Sequence, residues 1–164
     1  MKCSSILLLA AAGTAAVPML TTAVVAQDDL ATLVEQRQQR MKSMSKSFGP
    51  IIPILKGEST DLAAATQAAN VMHNAIVEAV EMFPPGTGKG EVEGSRAKPE
   101  IWTEAEEFEA AAQDLINATR ELAAAGETGD IDAFRAAFQP MGAACGGCHR
   151  GPSEEGGKFR FPKE

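Results

Sequence analysis

Apolar residues recur at every third or fourth position in four stretches of the chain, and each stretch predicts one amphipathic helix. The stretches cover residues 30–55, 62–83, 108–122 and 134–148. No stretch alternates apolar and polar residues in the manner of a strand. Because each apolar stripe has to be buried against another, the pattern predicts an all-α fold, an antiparallel four-helix bundle.

Polar residues and one glycine predict several helix ends. Ser59, Thr60 and Asp61 are the N-cap candidates of the second helix, and Asp130 is the expected N-cap of the fourth. Residues 103–106, Thr-Glu-Ala-Glu, fit a capping box that begins the third helix, and Gly126 is its expected C-cap. Two prolines near the end of the first helix are expected to kink it or to convert its last turns into irregular structure. The longest connection, residues 84–99, is rich in glycine and proline and predicts a loop.

Residues 1–26 have the pattern of a secretory signal peptide. Lys2 precedes an apolar stretch over residues 6–17, and small residues at the end of the segment suit cleavage. An N-terminal membrane anchor is the alternative, but the stretch is too short and too interrupted for a comfortable span. The sequence therefore predicts export to the periplasm and no membrane span in the mature protein. The mature chain, residues 27–164, is expected to form a single domain with an irregular tail over residues 150–164.

Cleavage would change both the charge and the cysteine count. Of the 15 basic residues only Lys2 would be lost, so 14 basic and 22 acidic residues would give a formal net charge of −8. This acidic balance argues against nucleic acid as a partner, because proteins that bind it carry basic faces. Cys3 would also be lost, which leaves only Cys145 and Cys148. Such a pair can oxidise in an exported protein, so its chemistry has to be assigned.

Cys145, Cys148 and His149 form the sequence Cys-x-x-Cys-His, which is the attachment signature of c-type haem. Two thiols one helical turn apart can each form a thioether with the same edge of the macrocycle, and the histidine that follows can bind the iron. Both cysteines lie on the apolar stripe of the fourth helix, so the haem would face the bundle interior. A thioredoxin-like pair would need a βαβ setting, a structural zinc site needs four ligands, and a disulfide across two residues would constrain almost nothing. The motif predicts one covalent haem c.

Four segments of the chain together are similar to those of a known family: residues 37–42 (Arg-Gln-Gln-Arg-Met-Lys), 83–87 (Phe-Pro-Pro-Gly-Thr), 97–102 (Ala-Lys-Pro-Glu-Ile-Trp) and 142–149. The mature chain resembles the class II c-type cytochromes, that is, cytochrome c′ and its low-spin relatives with a methionine ligand. The resemblance implies a four-helix bundle with the haem attached near the C-terminus of the fourth helix.

The resemblance also implies roles for residues outside the motif. Arg37 lies on an otherwise apolar stripe, where a haem propionate would compensate its charge; a guanidinium that reaches solvent is the alternative. Gln38 is implied near the haem edge, and the loop residue Ser95 near the propionates. Met41 corresponds to the residue over the distal face of the iron. Methionine binds the iron there in low-spin members and only blocks the site in five-coordinate members.

The sixth iron position therefore separates two functions. With Met41 as a ligand, the protein is a periplasmic electron carrier that exchanges electrons with redox partner proteins. The sequence favours this interpretation. With Met41 as a steric gate, it is a five-coordinate cytochrome c′ that binds NO or CO. The first helix has no histidine near Met41, which argues against a haem enzyme such as a peroxidase. The family often forms dimers through its first two helices, which leaves a homodimer open.

One segment departs from the family's pattern. Members place an aromatic–basic pair soon after the histidine, whereas residues 150–157 separate His149 from Lys-Phe-Arg at residues 158–160. Pro152 is expected to end the haem-bearing helix. The departure leaves open whether Arg160 folds back toward the haem or Arg150 takes its place.

Overall fold

The computed structural model describes residues 27–150 and 156–162; the predicted signal peptide lies outside them. The described part contains five helices and no strand: α1 Gln27–Lys56, α2 Leu62–Val80, α3 Glu100–Thr103, α4 Ala105–Glu127 and α5 Ile131–His149. The four long helices are those predicted by the apolar pattern, so the all-α four-helix bundle is confirmed, with α3 as an additional turn. None of these described helices is long and apolar enough to cross a bilayer.

Helix α1 continues through Pro50 and Pro53 to its last residue. The expectation that these prolines convert its last turns into irregular structure is therefore wrong. A proline inside a helix removes a hydrogen-bond donor and costs roughly 3 kcal/mol. Ile51 and Ile54 in the same turns are fully buried, and each such burial contributes about 1.5–3 kcal/mol. Tertiary packing thus offsets the local cost and keeps these turns helical.

Two predicted N-caps are confirmed. Asp61 Oδ1 accepts a hydrogen bond from Ala64 N (3.0 Å) at the start of α2. Asp130 Oδ1 accepts hydrogen bonds from Asp132 N (2.9 Å) and Ala133 N (3.0 Å) at the start of α5. These local interactions satisfy amides that have no partner inside the helix.

The capping box predicted at residues 103–106 is wrong, because a separate turn precedes α4. Thr103 is the last residue of α3, and its hydroxyl donates to Pro99 O (3.3 Å). Glu104 occupies the N-cap of α4, but its side chain accepts no hydrogen bond from the first amides of the helix. Ile101 is almost fully buried, and this burial holds the extra turn in place.

Gly126 does not end α4, so the predicted C-cap is also wrong. The helix runs to Glu127, and Gly129, with a φ of +77°, takes the left-handed conformation after it. Gly126 is buried against α2, where a Cβ atom would overlap Thr66 Oγ1 and lie 3.0 Å from Thr66 Cβ. The glycine therefore permits the backbones of α2 and α4 to approach closely.

Replacing Gly126 with alanine is expected to lower the free energy of unfolding, because the added methyl group forces α2 and α4 apart. Overpacking of this kind costs about 1–3 kcal/mol, whereas the gain in helix propensity is only about 1 kcal/mol. Denaturant unfolding measures the change. Gly142→Ala in α5 is the control, since its Cβ would meet only Phe138 at an ordinary 3.7 Å. An equal loss in both variants would contradict the close-approach role.

The long helices pack in order, α1 on α2, α2 on α4 and α4 on α5. Their common core contains fully buried side chains from each of them, including Ile54, Met72, Leu122 and Phe134. The alanine-rich face of α2 packs in the middle of this arrangement. Burial of these stripes is the main stabilising contribution to the bundle.

Helices α1 and α5 close the bundle at one end only. There the rings of Phe48 and Phe138 meet edge to face, with centroids 6.2 Å apart. Arg135 Nε also donates a hydrogen bond to Ile54 O (3.0 Å). Few other contacts join the two helices, so the bundle opens between them toward the end that carries the haem motif.

Residues 156–162, part of the predicted irregular tail, pack onto this open end. Ala97 and Arg160 form an isolated antiparallel bridge. Phe159 is only 4% exposed, and its ring meets that of Phe108 edge to face at 5.3 Å. The segment therefore contributes side chains to the site although it forms no helix or strand.

Candidate functional site

A cavity of about 450 Å³ lies where α1 and α5 separate. Its lining is mostly apolar and includes Met41, Met44, Phe48, Met72, Ile76, Phe83, Phe108 and Phe159. Four basic residues also line it: Arg37, Lys42, Arg96 and Arg160. Its described lining contains no carboxylate, although the chain as a whole is acidic. This combination suits a large apolar occupant that carries negative charge.

Cys145 and Cys148 line the cavity from the last turns of α5. Both are free, partly buried thiols. Burial raises the pKa of each thiol, and the neighbouring Cys145 adds to the rise for Cys148. Cys145 Sγ lies 3.6 Å from Met141 Sδ. The two sulfurs stand on one wall, as the spacing of the motif predicts.

His149 is the last residue of α5 and lines the same wall. Its Nδ1 lies 3.3 Å from Arg160 Nη1 and accepts a hydrogen bond, because a guanidinium can only donate. Partial burial, followed by repulsion from Arg160 and Arg96, lowers the pKa of His149 to about 4. His149 is exposed overall, but part of its exposed surface lies inside the cavity. Protein atoms surround the ring there. The imidazole is neutral at pH 7, which is the form that binds a metal.

Arg37 is only 4% exposed and holds the loop between α2 and α3. Its Nη1 donates to Met82 O (3.2 Å) and Thr87 Oγ1 (2.9 Å), and its Nη2 donates to Thr87 O (2.7 Å) and Ser95 Oγ (2.8 Å). The guanidinium lies 4.4 Å from the centre of the Phe83 ring. Burial lowers the pKa of Arg37 to about 10, so it remains charged at pH 7. The alternative of a guanidinium that reaches solvent therefore does not apply.

Replacing Arg37 with methionine is expected to lower the free energy of unfolding by at least about 3 kcal/mol, because several buried loop acceptors lose their donor. Denaturant unfolding gives the loss, and hydrogen exchange shows whether the loop opens first. Arg40→Met is the matched control on the same helix, since Arg40 pairs with Glu78 in a half-exposed ion pair. Its loss is expected to stay within about 1 kcal/mol. Similar losses in the two variants would contradict the anchoring role.

Gln38 and Ser95 meet the same loop but occupy different places. Gln38 lines the cavity, and its Nε2 donates to Gly94 O (2.9 Å). Ser95 is buried and is not among the residues that line the cavity. Its hydroxyl donates to Thr87 O (2.7 Å) and accepts from Arg37 Nη2. The structure thus brings Ser95 to Arg37 and not to the cavity wall.

Met41 lines the cavity from α1, one turn after Arg37. It is partly buried and packs against the main core. Because α1 and α5 form opposite walls, Met41 stands across the cavity from His149. The other histidine, His73, does not line this cavity; its Nδ1 lies 3.2 Å from Thr119 Oγ1. The lining from α1 thus combines the thioethers of Met41 and Met44 with polar side chains such as Gln38, Lys42 and Ser45.

Comparison with known proteins agrees with this geometry. A family model described as Cytochrome C′ matches residues 32–151. The chain belongs to the cytochrome c′ family. A relative, the cytochrome c′ of Alcaligenes xylosoxydans xylosoxydans, is 36% identical over 117 residues, which is 71% of this chain and 88% of the relative. The resemblance to class II c-type cytochromes is thus confirmed, and haem c is the cofactor.

Two solved structures of cytochrome c prime from Alcaligenes xylosoxidans share this fold. The nitric oxide complex of one mutant has a TM-score of 0.69 and 32% identity, and the match covers 82% of this chain and 97% of that one. A carbon monoxide-bound variant has a TM-score of 0.67 and 31% identity, with 83% and 97% covered. Both are therefore similar over nearly their whole length.

The lining of the cavity fits haem c. Two thiols on one wall and a neutral imidazole beside them match covalent attachment and iron binding. The apolar side chains suit the porphyrin, and the uncompensated basic residues suit its two propionates. A buried cation without an anionic partner would be costly, so this site suits an occupant that supplies negative charge.

Three basic residues of this site, Lys42, Arg96 and Arg160, had no definite role from the sequence. The sequence left open whether Arg150 or Arg160 lies near the haem. Arg160 lines the cavity and Arg150 does not. Arg96 also lines the cavity, and its Nη1 is buried without a hydrogen-bond partner. In the sequence, only the position of Arg96 next to the candidate residue Ser95 indicated that Arg96 belongs to the site.

Proposed function

We propose that this protein binds a diatomic gas, nitric oxide or carbon monoxide, at the iron of its haem. Cys145 and Cys148 would hold the haem through one thioether each, and the imidazole of His149 would bind its iron. Met41 would act as a steric gate. When bound, the haem would supply an iron that a small ligand can reach.

The cavity lining from α1 and α2 carries this proposal. Met41, Met44 and Phe48 line the cavity from α1 beside polar side chains such as Gln38, Lys42 and Ser45, and Met72 and Ile76 line it from α2. No imidazole or carboxylate of these two helices belongs to the described lining, so neither group is available there to fill the sixth position of the iron. A small neutral gas needs no hydrogen-bond partner to enter such a space. The gas complexes recorded for the two structural relatives support the same function.

Electron transfer to redox partner proteins is the second candidate, and the position of Met41 is the observation that favours it. A thioether on the wall opposite His149 can fill the sixth position of the iron. Both axial positions would then be occupied, and an axial methionine raises the reduction potential. This function was the one first predicted from the sequence, and it requires Met41 to be a ligand and not a gate.

The absorption spectrum of the reduced protein, recorded with and without carbon monoxide, separates the two functions. Gas binding predicts a broad high-spin spectrum that shifts when the gas is added, and nitric oxide should shift it as well. A sharp low-spin spectrum that neither gas changes would leave electron transfer as the function. The measurement uses the purified protein with its haem attached.

Binding without turnover and export to the periplasm complete the proposal. The described cavity lining contains no carboxylate and no histidine besides His149, so it does not offer the distal acid–base pair of a peroxidase-type reaction. Export rests on the signal-peptide pattern of residues 1–26. A homodimer stays a prediction; Val71 and Val77 are exposed apolar side chains on α2.

A further inference from the structure

Arg96 is a basic side chain of the cavity whose hydrogen bonding is incomplete. It lines the cavity, and its Nη1 is buried with no hydrogen-bond partner in the described chain. Glu100 lies four residues later, but its Oε2 is also buried without a hydrogen bond, and no ion pair joins the two side chains. An acceptor on a group bound in the cavity would complete the hydrogen bonding of Arg96.

The backbone around Arg96 is fixed from both sides. Its carbonyl oxygen accepts a hydrogen bond from Phe161 N (2.9 Å), and Lys98 N donates to Phe159 O (3.1 Å). The preceding residue, Ser95, is held by Arg37. The side chain thus starts from a rigid part of the loop, which lowers the entropic cost of binding a ligand.

A second guanidinium stands close to Arg96. Arg160 also lines the cavity, and the bridge between Ala97 and Arg160 holds its backbone beside that of Arg96. Two like charges on one cavity wall repel each other unless an anion lies between or beside them. The pair therefore marks a place where the cavity accepts a carboxylate.

We infer that Arg96 binds a propionate carboxylate of the haem, with Arg160 as an additional source of positive charge. Arg37 already donates its four Nη hydrogens to the loop, whereas Arg96 has a buried donor to offer. A carboxylate accepts such a donor in a charge-assisted hydrogen bond. The inference goes beyond gas binding, because it holds whether or not the iron takes a gas.

The midpoint potential of the purified protein tests the inference, with Arg96→Gln compared to wild type. Loss of a cation that neutralises a haem carboxylate disfavours the reduced, more negative haem. We expect the equilibrium constant for one-electron reduction to fall at least tenfold, which equals a potential lower by about 59 mV. Arg96→Lys, which keeps the charge, should recover at least half of this shift in potential.

Arg150→Gln is the matched control. Arg150 adjoins His149 and carries the same charge, but it is exposed and does not line the cavity. In the Arg150→Gln variant, the equilibrium constant for one-electron reduction should change less than threefold. Equal shifts in the two glutamine variants, or no recovery in the lysine variant, would overturn the assignment. Covalent haem is confirmed by mass in every sample, so a failure of attachment is distinguished from a failure of the inference.

A free anion such as inorganic phosphate offers Arg96 the same kind of oxygen acceptor as a haem propionate. Potentials measured with increasing inorganic phosphate at constant ionic strength separate the two. A propionate bound to Arg96 predicts a wild-type potential that does not depend on phosphate. A potential that follows phosphate in the wild type but not in Arg96→Gln would show that the site takes a free anion, which would overturn the propionate as its occupant.

Discussion

Replacing Cys145 and Cys148 together with serine is expected to abolish covalent attachment of haem. A hydroxyl does not form the thioether that a thiol forms with a vinyl group, and both sulfurs belong to one wall of the same cavity. The mass of the denatured protein should then equal that of the polypeptide alone. Each single variant retains one sulfur and should retain a haem held by one bond.

Loss of the haem is also expected to destabilise the fold. The cavity of about 450 Å³ would lose its occupant, and its basic lining would lose the compensating carboxylates. A ligand present at 1,000 times its dissociation constant stabilises a protein by about 4 kcal/mol, and a covalent one is never diluted away. Denaturant unfolding of the double variant should therefore show a loss of at least this size.

Ala143→Ser is the control for the cysteine variants, because it adds a hydroxyl to an exposed position of the same helix. It should keep covalent haem and nearly unchanged stability. Haem that stays attached to the double serine variant after denaturation would contradict the assignment of the two thiols.

Local signals in the sequence were sufficient for the helices and for part of the site. Asp61 and Asp130 cap helices with amides only two or three residues away, so their role is visible in a short segment. The motif at residues 145–149 likewise occupies one turn of one helix. Features of this kind do not depend on how distant segments meet.

Interactions between distant segments explain what the sequence did not predict. The acceptors of Arg37 lie 45 to 58 residues away, so its position in the chain indicated a buried cation but not its partners. Gly126 resembled a helix end because its contact with Thr66 on α2 is absent from the local pattern. Arg160 reaches His149 through the bridge with Ala97, which no local rule reveals.

Replacing Met41 with alanine is expected to raise the affinity of the reduced protein for carbon monoxide at least tenfold. The side chain stands across the cavity from His149, so a ligand on the iron has to displace it from its packing against the core. Steric displacement in a packed site costs about 1–3 kcal/mol, and each 1.4 kcal/mol corresponds to tenfold in affinity. Optical titration with the gas measures the dissociation constant.

Met44→Ala is the matched control for the gate, since Met44 lines the same cavity three residues further along α1. Its affinity for the gas should change less than threefold if Met41 is the residue that the gas displaces. A larger gain in Met44→Ala than in Met41→Ala would assign the gate to Met44. A wild type that ignores the gas while Met41→Ala becomes high-spin and binds it would identify Met41 as an iron ligand. The pair of variants therefore determines which side chain controls the sixth position and by which means.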